Sequence, residues 1–181
     1  MAHPTVAAQL VRMLRDAGAR RIYGVVGDSL NPVVDAVRHT EGIEWVHVSN
    51  EEGGAFAAAA EAQITGQLAV CAGSCGPGNT HLIQGLYDAH RSGAPVVAIA
   101  SHIQSQEIGM SFFQETHPER TFQDCSSAST IVRCSPVRLC SPARRPPRPT
   151  LPGLYVPIAY SDSIQLNNLQ QGGGGKLYLL V

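Results

Sequence analysis

Two carboxylates stand together at Glu51 and Glu52, directly ahead of the run Gly53-Gly54-Ala55-Phe56-Ala57-Ala58. At the start of a helix such a pair ordinarily serves the helix dipole. The alanines and Phe56 offer a second reading, because a carboxyl group in apolar surroundings holds a proton at neutral pH. A glycine-rich turn from strand to helix, Gly73-Ser74-Cys75-Gly76-Pro77-Gly78-Asn79, follows some twenty residues later. It has no Gly-Lys-Ser/Thr, so it is not a phosphate-cradling P-loop, and it does not fit G-x-G-x-x-G. On spacing alone it is a tight turn. Gly27 suits a backbone position that comes close to a ligand or takes a positive φ. Asp28 and Ser29 beside it read equally as a helix cap. Phe113-Gln114 alone is a packed aromatic next to a surface amide. His47, His90, His102 and His117 are scattered, and no His or Cys cluster has zinc spacing, so no metal ligand set is expected. Cys71 and Cys75 read as small buried residues rather than ligands.

The elements that must hold these groups alternate in type. Val6, Leu10, Val11 and Leu14 fall on one face of a helix that stops near Gly18. Ile22–Val26 is a short apolar run of the kind found in buried parallel strands. Asn31 before Pro32 marks a helix start, and that helix runs to about Arg38. Ile43–Val48 reads as a strand, 51–65 as an alanine-rich helix ended by Gly66, and Leu68–Ala72 as a strand. Asn79 to about Arg91 reads as one helix, and Pro95–Ala100 as a further strand. Short apolar strands alternating with helices predict an α/β fold, a parallel sheet with helices on both faces. Right-handed crossovers place the strand-to-helix turns along one edge, where ligands bind.

The order stops near Cys125, and the composition changes with it. Net charge over the 181 residues is −1, which gives no reason to expect nucleic acid as a partner. Residues 1–125 nevertheless carry 13 of the 14 acidic side chains, and residues 126–181 carry 7 of the 12 prolines together with the run Gly172–Gly175. Two parts are therefore expected: a domain over 1–125, and a Pro/Arg/Ser/Gly-rich segment over 126–181 of low order. No charged and apolar leader opens the sequence, and no apolar run has bilayer length. With an odd number of cysteines and no C-x-x-C pair, reduced thiols in a cytoplasm are the default expectation.

Four words in order carry a resemblance: Gly24-Val25-Val26-Gly27-Asp28-Ser29-Leu30-Asn31, Asn50-Glu51-Glu52-Gly53-Gly54-Ala55-Phe56, Leu68 through Asn79, and Phe113-Gln114-Glu115-Thr116-His117-Pro118. Together they resemble the N-terminal, pyrimidine-binding domain of the thiamine-diphosphate enzymes, of the pyruvate oxidase and quinone-dependent pyruvate dehydrogenase type. The resemblance covers residues 5–125. It implies that Glu51 bonds to N1′ of the cofactor's pyrimidine, with Glu52 as the adjacent alternative, so that the cofactor's own amino group can act as base. It further implies that Gly27, Ser74, Pro77 and His81 lie near the cofactor, and that Phe113 and Gln114 line the substrate pocket.

Whole members of that family hold the diphosphate through Mg²⁺ at a Gly-Asp-Gly word, and the oxidases bind FAD in a middle domain. This sequence has no Gly-Asp-Gly, so sites for Mg²⁺ and FAD are not expected in it. The resemblance implies pyruvate decarboxylation with electrons passed to flavin and quinone. Alternatives are an inactive truncated or frame-shifted product and a fragment of an acetolactate-synthase-like enzyme. A codon choice for Ser129–Cys134 that reads His-Tyr-Cys-Glu-Met in another frame, similar to family wording there, is the basis of the frame-shift reading. Expected partners are thiamine diphosphate and either a second copy or a full-length family member. Membrane association would follow only from the family.

Overall fold

The structure, a computed structural model, describes residues 5–132 and 175–180. Helix α1 (Val6–Asp16) begins where the Thr5 hydroxyl accepts from the Ala8 amide at 3.1 Å, and it buries Ala7, Leu10, Val11 and Leu14. Strand β1 (Arg21–Gly24) leads through a 3-10 turn (Asp28–Leu30) into α2 (Asn31–Arg38). Strand β2 (Glu44–His47) leads into α3 (Glu51–Thr65). The Asn50 side chain caps α3 by accepting from the Gly53 amide at 2.8 Å, and Gly66 ends it at φ 67°. Strand β3 (Ala69–Gly73) is followed by α4 (Pro77–His81), α5 (Ile83–Ser92) and β4 (Val96–Gln104).

These four strands are parallel in the order β2-β1-β3-β4, as the alternating pattern requires. Side chains along β3 alternate between two cores. Val70 and Ala72 pack with α1 and α2 on one face. Ala69 and Cys71 pack with Ala55, Ala58, Ala59 and Ala62 of α3 and Leu86 and Ala89 of α5 on the other. Helices thus cover both faces. The sheet reverses its order between β1 and β3, and the loops after those strands open on the same edge.

Three local expectations change. The helix expected from Asn79 to Arg91 is two helices meeting at Leu82, whose amide bonds to the Asn79 carbonyl three residues back at 3.1 Å. Asn31 is the first helical residue rather than a cap, because the turn Asp28–Leu30 enters the helix ahead of it. Strand β4 runs on to Gln104, since Ser101, His102 and Ile103 are buried in the layer rather than exposed as a loop.

Beyond β4 the sheet continues with antiparallel strands. Strand β6 (Gly175–Leu180) pairs with β4, and β5 (Ser129–Val132) pairs with β6. Both lie in the stretch expected to be of low order, of which residues 133–174 and 181 lie outside the described residues. A short helix α6 (Pro118–Thr121) precedes β5. Among the described residues no helix is long and apolar enough to cross a membrane.

Helices α3 and α5 touch through bare backbone. A Cβ on Gly85 would stand 2.5 Å from the carbonyl carbon and Cβ of Ala55 and from the Phe56 amide. Gly85→Ala is therefore expected to cost about 1–3 kcal/mol of stability by overpacking, read as a lower urea midpoint. A second expectation concerns alkali. Burial pushes the Cys71 thiol up to about 12, so the folded chain keeps it neutral while the unfolded chain ionises it above about pH 9. The stability tied to this group is whole below that pH and falls as pH rises toward 12, by up to about 1.4 kcal/mol per unit. Urea midpoints at pH 8 and pH 10 should fall further for the natural chain than for Cys71→Ala.

Candidate active site

The loops at the carboxyl edge of the sheet are tied together by hydroxyls. Ser29 Oγ lies 2.9 Å from Ser74 Oγ and 2.7 Å from Ser101 Oγ, and it accepts from the Cys75 amide at 3.1 Å. Ser101 Oγ donates to the Gly73 carbonyl at 3.1 Å. A hydroxyl has one proton and two acceptor sites, so the direction of the chain follows. Ser101 has spent its proton on Gly73, Ser29 must donate to Ser101, and Ser74 must donate to Ser29. Ser74 is left with only acceptor capacity toward a ligand.

The same ladder includes Asn79, which is 1% exposed and whose amide nitrogen donates to the Ser101 carbonyl at 2.6 Å. Its Oδ1 is buried without a hydrogen-bond partner. Neither Ser101 nor Asn79 is singled out by the sequence. Ser101 follows the apolar run Pro95–Ala100 beside His102, and Asn79 ends the glycine run beside Thr80. The signal that could have found them is their polarity at positions where the strand and the turn must be buried.

Glu51 is the first residue of α3 and is 8% exposed. Its Oε2 lies 3.0 Å from Nδ1 of His81, the last residue of α4. Its Oε1 faces Gly78, where a Cβ would come within 3.0 Å of it. Glu52, one position on, is exposed. Phe56 does not wall this carboxylate in. It is 42% exposed, and the buried positions of α3 are Glu51, Gly54, Ala55, Ala58, Ala59 and Ala62, the stripe that helical spacing places on the opposite side.

Gly27 has an extended backbone, φ −146°, so positive φ is not its reason for being glycine. Close approach is: a Cβ there would stand 2.6 Å from Ser74 Oγ. The neighbour it admits is the serine of the next loop. Gly76 takes φ +76°, and a Cβ on it would press on Gln114 at 3.1 Å. Pro77 follows it exposed at the start of α4.

Gln114 lies over the glycine turn and donates through Nε2 to the Cys75 carbonyl at 3.4 Å. The segment that carries it is moored by His102, whose Nε2 lies 2.9 Å from the Thr116 carbonyl. A carbonyl can only accept, so Nε2 bears the proton. Phe113 is 85% exposed and meets Phe112 at a tilt of 38°, with ring centroids 4.9 Å apart. The structure thus gathers Gly27, Glu51, Ser74, Pro77, His81 and Gln114 at one edge, and leaves the neighbouring Phe113 largely in solvent.

Among the described residues no group of three His, Cys, Asp or Glu side chains converges as a metal site. A cavity of about 210 Å³ lies at the opposite edge, lined by His90, Pro95, Val96 and Cys125 among others. Burial, and then Asp124, raises the Cys125 thiol there.

Residues 4–123 match the family model described as thiamine pyrophosphate enzyme, N-terminal TPP binding domain. An uncharacterized 42.6 kDa protein in the isoamylase 3′ region of Pseudomonas amyloderamosa is 59% identical over 132 residues, 73% of this chain and 33% of that protein. Pyruvate oxidase of Lactiplantibacillus plantarum is 39% identical over 118 residues, 65% of this chain and 20% of that enzyme. Acetolactate synthase isozyme 2 large subunit of Escherichia coli is 36% identical over 127 residues, 70% of this chain and 23% of that subunit. The chain spans a third or less of the length of these relatives. It belongs to the thiamine pyrophosphate enzymes and corresponds to their N-terminal, cofactor-binding domain.

Proposed function

We propose that the chain is the pyrimidine-holding part of a thiamine-diphosphate-dependent pyruvate oxidase or quinone-dependent pyruvate dehydrogenase, with Glu51 exchanging a proton at N1′ of the pyrimidine. The observation that carries this reading is the placement of Glu51. Its carboxylate is nearly buried at the ligand edge, one oxygen is engaged by His81, and the other is turned toward a glycine with no side chain to cover it. In this reading the pyrimidine ring would present its nitrogen to that oxygen. Gly76–Gly78 would form the floor under the ring, and Ser74 would accept a hydrogen bond from it. Gln114 would supply a polar group over the turn. Bound thiamine diphosphate supplies the carbon that attacks the keto group of a 2-oxo acid.

The oxidase branch is favoured by the wording Cys75-Gly76-Pro77-Gly78 and Phe113-Gln114-Glu115-Thr116 and by the pyruvate oxidase relative. The acetolactate synthase relative supports a second reading, a fragment of that kind of enzyme. The products separate the two: an oxidase reduces an electron acceptor, and the other enzyme forms acetolactate.

The site is one side of a cleft. The strongly charged diphosphate with its Mg²⁺, and the FAD of an oxidase, would be held by residues other than those at this edge. Exposed Phe113 and Met110, at 85% and 73%, sit on the segment beside Gln114, which fits a face that packs against a further domain or a second subunit. Catalysis depends on holding the reacting groups in place, worth several kcal/mol. The purified chain, given pyruvate, thiamine diphosphate, Mg²⁺ and an artificial electron acceptor, is therefore expected to show no turnover above the cofactor alone. Mixing with a full-length family member whose own equivalent of Glu51 has been replaced should restore activity, and the Glu51→Gln chain should not. Turnover by the isolated chain that disappears in Glu51→Gln would show that this half of the site suffices.

A further inference from the structure

We infer that His81 is the positioning residue of Glu51: its Nδ1–H donates to Oε2 and thereby turns Oε1 toward the ligand edge beside Gly78. The inference deepens the pyrimidine reading of this site and rests on it.

The two residues are thirty positions apart and come from different helices, so nothing local to the chain makes them meet. The contact depends on how α4 ends. Leu82 is fully buried and anchors the joint between α4 and α5, which leaves His81 as the last residue of the short helix, reaching across to the first residue of α3. The exposures are unequal. The Glu51 side chain is 11% exposed and that of His81 is 53% exposed. The carboxylate can therefore turn to few partners, and His81 is the side chain that meets it.

A carboxylate at a helix start can rotate about its last bond, and either oxygen can then point outward. Bonding one oxygen to a fixed donor removes that freedom before any ligand arrives, and preorganisation of this kind spares the ordering cost on binding. The donor also fixes the imidazole. Which ring nitrogen holds the proton is set by the hydrogen bond made at the other, so a carboxylate at Nδ1 selects the form with the proton there.

The first test needs no ligand. Long-range ¹H–¹⁵N NMR of the imidazoles in the full chain near neutral pH should show His81 protonated at Nδ1, and the signature should be lost in Glu51→Ala. A proton on Nε2 alone in the natural chain, or a spectrum unchanged by Glu51→Ala, overturns the inference. The second test reads binding of thiamine, which carries the pyrimidine without the diphosphate, by chemical-shift titration. His81→Ala is expected to weaken binding about tenfold, as loss of one hydrogen bond to a charged group does. His81→Asn, whose amide nitrogen stands near the place of Nδ1, is expected to stay within about threefold of the natural chain. Circular dichroism verifies that both variants fold. Equal affinity in all three, or an Asn variant as weak as the Ala variant, also overturns the inference. Failure of the natural chain to bind thiamine counts against the functional reading instead, and the imidazole spectrum then decides the inference on its own.

Discussion

The Ser29 hydroxyl accepts from the Cys75 amide and from Ser74 and donates to Ser101, and the rest of the ligand edge is arranged around those three bonds. Ser29 belongs to the loop after β1, Ser74 and Cys75 to the turn after β3, and Ser101 to β4. One atom with its full complement of partners therefore joins the three strands at the place where the sheet reverses order. Such an edge normally parts into a crevice. Here the crevice is stitched at its base, and Gly27 lets the two loops come close enough for the stitch to form. Each bond is a neutral one of modest net worth, and the groups are partly buried, so an unpaired one would be only incompletely solvated.

With the base of the edge fixed, the groups above it have little freedom. The turn from Gly73 to Asn79 is held by Ser29 below and Gln114 above, and Asn79 pins the start of α4 to β4. Helix α3 is set by the close approach of Ala55 to Gly85. Glu51 and His81 are consequently presented by two helices whose positions are decided elsewhere in the fold. A small tolerance in the core becomes a small tolerance in the carboxylate. This is how a site built from short loops can be held with the precision that proton exchange requires.

Much of this was legible in the sequence, because the relevant signals are local. The order of strands and helices follows from apolar runs bounded by Gly and Pro. The extent of α3 follows from Asn50 at one end and Gly66 at the other. Glu51 and the glycine turn stand out through the resemblance of the words that carry them, since by type and spacing alone the one reads as a helix-dipole acid and the other as a tight turn. What escaped was long-range in origin. Ser101 and Asn79 matter only because β4 and α4 meet, and the break at Leu82 reflects a three-residue hydrogen bond where helical periodicity continues unbroken. The role of Gly27 was half legible: a close approach was expected, but the partner is a serine from a loop some forty-five residues away. Phe56 looked like part of an apolar wall and instead faces outward, since a run so rich in alanine marks no face.

The antiparallel pairing of β6 with β4 has a consequence for the order in which the sheet can be completed during synthesis. Strand β6 begins about 70 residues after β4 ends. At roughly 5–20 residues per second, a ribosome takes several seconds to cover that distance. For that interval the nascent chain carries the four parallel strands with the outer side of β4 unpaired, a row of free amides and carbonyls open to any strand that meets it. The vulnerable species is thus a chain still attached to the ribosome, and neighbouring ribosomes on one message would bring such edges together. Slow elongation through residues 105–174 would lengthen the exposure, so translation speed over that stretch bears directly on how much of the chain escapes aggregation.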